Sequence, residues 1–228
     1  MQQESRSQFK GLLDSPFYGH IMTLNFQPLD WVHSEWLEDV PFLQQCQTFN
    51  SPAIQQHVRQ QLKLNNVSDS QFSDPIKRLI FLPQDTLLQL VNLIGLSCFQ
   101  KQVKLLIEKE IKQQICDLVT PQGLTLIQKK LPLLVSKYPD SLVTQAPLYD
   151  RKSKQLAQFH AYGFQLLSLA IEHSQQDWLK LLSMKLPKCD TLPEFRPAAL
   201  NQTEQSRLRL LIQKIAVEID PQCTTLLK

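Results

Sequence analysis

The segment PQDTLLQLVNLIGLSC, residues 83–98, reads as a buried helix. Leu87, Leu90, Val91, Ile94 and Cys98 recur every three to four positions and form one apolar stripe. Pro83 stands where a helix opens, because proline lacks the N–H that the first turn leaves unused. Gly95 lies within the pattern, and a lone glycine at helical spacing lets a second helix cross closely. A second run follows, with Val103, Ile107, Ile111 and Ile115 spaced by four and Leu106 beside them. The opposite side carries Lys101, Lys104, Glu108, Lys109 and Lys112. Periodicity leaves open whether 84–117 is one bent helix or two. Pro121 and Gly123 end the run or begin a turn.

Working outward, residues 124–135 read as a short helix. Residues 153–172 read as a strong one, with Leu156, Phe159, Gly163, Leu166, Leu167 and Ala170 on one side. Residues 175–184 continue helically through Trp178, Leu181 and Leu182. Pro187, Pro193 and Pro197 make 187–199 a rigid, extended connector. The last helix covers 203–219, lined by Leu208, Leu211, Ile212, Ile215 and Ile219 and stopped by Pro221. Upstream, Ser51-Pro52 starts a helix over 53–62. Ser34 reads as the cap of a short helix containing Trp36 and Leu37. Residues 21–29 (IMTLNFQPL) alternate partially and read as a short strand ending at Pro28. The pattern as a whole predicts an all-α protein, a compact bundle-like packing of several short helices with at most a minor N-terminal strand. Residues 1–20 read as an N-terminal arm and 21–228 as a single helical domain, with candidate subdomain breaks near 66–80 and 187–199.

Composition narrows the function. The chain has 228 residues and 43% hydrophobic content, enough to bury roughly 72% of its unfolded surface without metal or disulfide staples. Net charge is +3 and no basic cluster carries interleaved aromatics, so nucleic-acid binding has no support. Five scattered glycines cannot form a Gly-rich phosphate loop. Its 30 glutamines are spread through patterned helices, not collected in a tract. The five cysteines are odd in number and widely spaced, which predicts free thiols in a cytosolic protein. The N-terminal region shows no signal-peptide core, and no stretch approaches a membrane-spanning run.

No constellation carries recognisable chemistry. The five histidines form no H-E-x-x-H, and His160 and His173 are too far apart to share a ligand face, so no metal is expected. Cys98 and Cys116 fall on or near apolar stripes, where packing is the plainer role than nucleophilic catalysis. Glu35 and Asp39 are four apart, yet a solvated first turn accounts for them better than a glycosidase pair does. Two surfaces remain as candidates for protein binding. One is the acidic-aromatic segment with Trp31, Glu35, Trp36 and Asp39, whose tryptophans read either as core or as docking anchors. The other is the basic face of Lys101, Lys104, Lys109 and Lys112, which reads as a solvated helix face or a dock for an acidic partner.

Four stretches in order resemble the K subunit of the bacterial type III secretion sorting platform, the family that includes the Yop translocation protein K. They are Leu24-Asn25-Phe26 with Pro28, Trp31-Val32-His33 and Trp36-Leu37; Leu82-Pro83 through Leu87-Leu88, Leu93 and Gly95-Leu96; Leu181-Leu182-Ser183-Met184-Lys185-Leu186-Pro187; and Ile212-Gln213-Lys214-Ile215 with Asp220-Pro221-Gln222-Cys223 and Leu226-Leu227-Lys228. Residues 38–80 and 136–155 match least. The resemblance implies a non-enzymatic cytosolic adaptor with no cofactor and no catalytic residues. It implies contacts with the platform's Q protein and with the cytoplasmic domain of the inner-membrane ring protein, and indirect links to the L protein and the export ATPase. It implies neither nucleic acid nor membrane insertion. A helical enzyme without a recognisable motif and a secretion chaperone stand as the alternative readings.

Overall fold

The computed structural model describes residues 15–41, 43, 51–134, 138–151, 155–171, 176–189 and 200–228. In chain order the helices are α1 (Tyr18–Phe26), α2 (Ser34–Leu37), α3 (Pro52–Gln61), α4 (Gln84–Ser97), α5 (Gln100–Leu105), α6 (Lys109–Thr125), α7 (Leu131–Leu134), α8 (Phe159–Ala170), α9 (Gln176–Lys185), α10 (Gln202–Ile219) and α11 (Cys223–Leu226). Strands β1 (Tyr149–Asp150) and β2 (Gln155–Leu156) form a two-residue antiparallel pair, Tyr149 opposite Leu156 and Asp150 opposite Gln155. The all-α expectation holds. The described residues fall into two compact units.

The first unit comprises the described residues up to Gln84 together with Gln176–Lys188. The strand expected over 21–29 is instead helix α1. Its buried positions, Ile21, Leu24 and Asn25, follow i, i+3, i+4 spacing, so the partial alternation was the weaker of two periods. Asn25 then uses its side chain where a strand would use its backbone. Its Nδ2 donates to the Val67 carbonyl and its Oδ1 accepts from the Val67 N–H, both at 2.8 Å. Ser51 caps α3 with Pro52 in the first turn, as the sequence predicts. Within 66–80 lie Val67, which is buried, and a segment that enters the core of this unit. Phe72 and the 3-10 segment Pro75–Phe81 bury Ile76, Leu79, Ile80 and Phe81. Helix α9 packs beside that segment, its Trp178 indole donating to the Lys77 carbonyl at 3.0 Å.

The second unit comprises Asp85–Gln175 and Cys189–Lys228. Helix α4 is its axis. The predicted stripe is buried, and so are Asn92, Leu93, Gly95, Leu96 and Ser97, so the helix is enclosed on nearly every side. A Cβ built on Gly95 would overlap the Phe159 carbonyl, and one on Gly163 would overlap the Val91 carbonyl. Helices α4 and α8 therefore cross backbone to backbone. Phe99 packs edge-on against Phe159 and Tyr162, with ring centroids 5.6 and 4.9 Å apart. Helix α10 lays its apolar stripe against α8 and is opened by a capping box between Asn201 and Glu204.

The segment 84–117 is three helices, with breaks at 98–99 and 106–108. Ile107 consequently leaves the stripe assigned to it. Val103, Ile111 and Ile115 are buried, but Ile107 is 84% exposed. Ile107 falls in the extended break between α5 and α6, so it shares a helix with none of the other three. Pro121 begins a helical run inside α6. Thr120 takes φ 63° before it, and its Oγ1 accepts from the Gly123 N–H at 3.3 Å as an N-cap would. The helix expected from 153 starts only at Phe159. The preceding backbone is committed to the β1–β2 pair and to an Ala157 N–H bond with the Leu148 carbonyl. Ser34 is the first residue of α2, and His33 caps it through Nδ1. The N-terminal arm up to 14 and the connector 190–199 lie outside the described residues.

Candidate docking surfaces

The acidic-aromatic segment runs from the 3-10 turn Pro28–Asp30 into α2. Trp31 is 3% exposed, which removes it as a surface anchor and makes it core. It follows Pro28, and the turn between them folds the indole inward with Val32. The other three residues are held by one short stretch of chain, Leu186–Lys188. The Trp36 indole donates to the Leu186 carbonyl at 3.0 Å. Glu35 Oε2 accepts from the Lys188 N–H at 2.7 Å, and Asp39 Oδ2 pairs with Lys188 Nζ at 2.6 Å. The same Nζ lies 5.5 Å from the Trp36 ring centroid. Upstream, the His33 N–H donates to the Met184 carbonyl at 2.8 Å. Half-buried Trp36 and Glu35, with exposed Asp39, thus form a clasp whose cation is supplied by the chain itself. Sequence reading missed Lys188 because it lies about 150 positions away, with no local signal of the pairing.

The basic face is built by two short helices. Lys101 and Lys104 are three apart on α5, and Lys109 and Lys112 are three apart on α6. Lys101, Lys104 and Lys109 are exposed, and Lys112 is half-buried. Lys101 reaches Asp140 at 3.8 Å, and both side chains are largely in solvent, so the pair contributes little. Between the helices, Leu106 and Glu108 have extended backbone with ψ near 119° and 118°. Leu105 and Ile107 stand 80% and 84% exposed there. Glu108 pairs with Arg151 at 3.3 Å. The face is therefore a lysine-flanked loop that presents two large apolar side chains, a combination that the stripe reading of Ile107 had hidden.

The thiols have the electrostatics of packing groups. Burial pushes Cys98 up to about 12 and Cys223 up to about 11, and Cys116 is also raised by burial. An activated nucleophile needs the opposite shift. Tyr138, hydrogen-bonded to Ser97 at 3.0 Å, is raised well above its ordinary value by burial. His173 lies outside the described residues. Among the described residues no group of three or more His, Cys, Asp or Glu could hold a metal ion, and no helix is long and apolar enough to cross a membrane.

Residues 20–228 match the model of a family described as YOP proteins translocation protein K (YscK). No curated protein and no solved structure matches the chain.

Proposed function

Because the chain belongs to the YscK family and is thereby a type III secretion protein, we propose that it serves as a non-enzymatic adaptor on the cytoplasmic side of the secretion apparatus. It links the sorting-platform Q protein to the cytoplasmic domain of the inner-membrane ring protein. Through Q it supports recruitment of the L protein and the export ATPase, and hence substrate queuing. The observation that carries the reading beyond the family is the loop between α5 and α6. Leu105 and Ile107, the most exposed large apolar side chains there, sit between Lys101, Lys104, Lys109 and Lys112. Apolar anchors surrounded by one sign of charge suit a modest, partly polar contact that assembles and exchanges. The clasped segment with Trp36, Glu35 and Asp39 supplies a second candidate face, presented in a fixed geometry by Lys188.

The test is a binding titration of the purified protein against the Q and ring homologues encoded in the same genome. Saturable binding to both, at affinities on the order of micromolar, is the expected outcome. Lys101→Glu with Lys104→Glu weakens one of the two by about tenfold and leaves the circular dichroism spectrum unchanged. Unaltered binding of both partners to that folded variant would remove the basic face from the interface. Failure of the unmodified protein to bind either partner would remove the adaptor role itself.

A further inference from the structure

Helix α10 is apolar on two opposite sides. Its core side is Leu208, Leu211, Ile212, Ile215 and Ala216. Leu210 and Val217 are seven residues apart, so they superpose within about 20° on a helix and point about 180° away from the centre of that core stripe. They remain 43% and 36% exposed. They are not isolated surface residues. Leu134 at the end of α7 and Leu227 after α11 join them in lining one groove of about 410 Å³. Leu133, next in chain to Leu134, is itself 81% exposed. An apolar groove along a helix, rather than scattered single side chains, is the form that a binding surface takes.

The groove is preformed and its side chains carry more lysine than carboxylate. Lys214 Nζ donates to the Leu134 carbonyl at 2.6 Å, and Lys130 pairs with Glu218 at 2.7 Å, so α10 is tied to the wall opposite it. Glu218, the groove's acidic side chain, is thus already neutralised. Lys214 and Lys228 line the groove and form no ion pair with a carboxylate side chain among the described residues. The apolar floor from Leu210 to Val217 is about 10 Å long, two helical turns. That length and spacing fit a partner helix with apolar residues at i, i+3, i+4 and i+7. The excess of lysine requires acidic residues on the flanks of that helix.

We propose that this groove is a docking site for an acidic amphipathic helix of a partner protein. It uses none of the residues of the loop between α5 and α6 or of the clasped segment, and it stands whether or not those are interfaces. The probe is a fluorescein-labelled synthetic peptide of about four helical turns with leucine at those four positions and glutamate on the flanks. Its twin carries lysine in place of glutamate. Anisotropy titration against the full chain is expected to give a dissociation constant on the order of 10 µM for the glutamate peptide and at least tenfold weaker binding for its twin. Leu210→Asp with Val217→Asp abolishes binding while the chain stays folded by circular dichroism at the titration temperature, and Leu105→Asp with Ile107→Asp leaves binding unchanged. Equal binding of the two peptides, which needs no variant, overturns the proposal. So does absence of binding, or binding indifferent to Leu210 and Val217. Sedimentation that shows self-association abolished by Leu210→Asp would assign the groove to a second copy of the chain, and that also overturns it.

Discussion

Lys185 is a buried cation without a carboxylate. It is 7% exposed, and its Nζ donates to the Ile80 and Leu82 carbonyls at 2.6 Å each. Its own carbonyl accepts from Gln84. Removal from water lowers its pKa to about 8 from the ordinary 10.5. The unfolded chain therefore holds this proton more tightly than the folded one. Stability from this group is smallest below pH 8 and rises as pH climbs from there toward 10.5. Between pH 7 and pH 9 Lys185 adds about 1 kcal/mol. The buried thiols, which ionise in the unfolded chain from about pH 8 upward, subtract a comparable amount. Urea unfolding at the two pH values is therefore compared between the unmodified protein and Lys185→Met, which share the thiols. Lys185→Met is expected to change by about 1 kcal/mol less in the stabilising direction from pH 7 to pH 9, and costs about 1–3 kcal/mol from two carbonyls left without a donor. Equal slopes in the two proteins would show that Lys185 is not the source. Little of this is legible in sequence. Lys185 falls in a helical pattern as an ordinary charged position, and the carbonyls it serves are over 100 residues away. The same distance hid the Lys188 clasp, whereas Ser51-Pro52 was readable because a cap and its helix are neighbours in the chain.

At the scale of elements, the crossing of α4 and α8 is set by two glycines. Overlap with a backbone carbonyl cannot be relieved by rotating a side chain, so the helices themselves must separate. Gly95→Ala and Gly163→Ala should each cost about 3 kcal/mol or more in urea unfolding. Gly19→Ala in α1 meets nothing within 4 Å and should instead gain about 0.5–1 kcal/mol from helix propensity. If Gly95→Ala is tolerated as well as Gly19→Ala, the close crossing is wrong. Here the sequence was informative. A glycine inside a strong apolar period signalled the crossing, and α10 was readable to within a residue because its stripe and Pro221 agree. Helix breaks were less legible. Ile107 and Thr120 stand where the backbone leaves the helical region, and the β1–β2 pair, a local hairpin, takes up chain that the apolar period assigned to a helix. Strand IMTLNFQPL failed for a different reason, since two periods fitted it and only burial of Ile21 with Leu24 and Asn25 selects the helical one.

At the scale of the molecule, the chain passes between its two units three times, at 84/85, 175/176 and 188/189. The first passage coincides with the opening of α4 at Gln84. The first unit is completed only by α9, which arrives after most of the second has been traversed. A unit that needs a late segment of chain cannot finish folding before the intervening chain is placed. We therefore expect one cooperative unfolding transition. The tryptophans provide the means to see it. Trp31, Trp36 and Trp178 all belong to the first unit, so fluorescence reports on that unit alone, whereas far-ultraviolet circular dichroism also follows α4, α6, α8 and α10 of the second. Coincident urea midpoints by the two probes are the expected result. Gly95→Ala, a lesion confined to the second unit, should lower the fluorescence midpoint as much as the dichroism midpoint. Two separated midpoints, or a fluorescence transition that Gly95→Ala leaves in place, would mean that the units unfold independently and that an adaptor surface on one can be lost without the other.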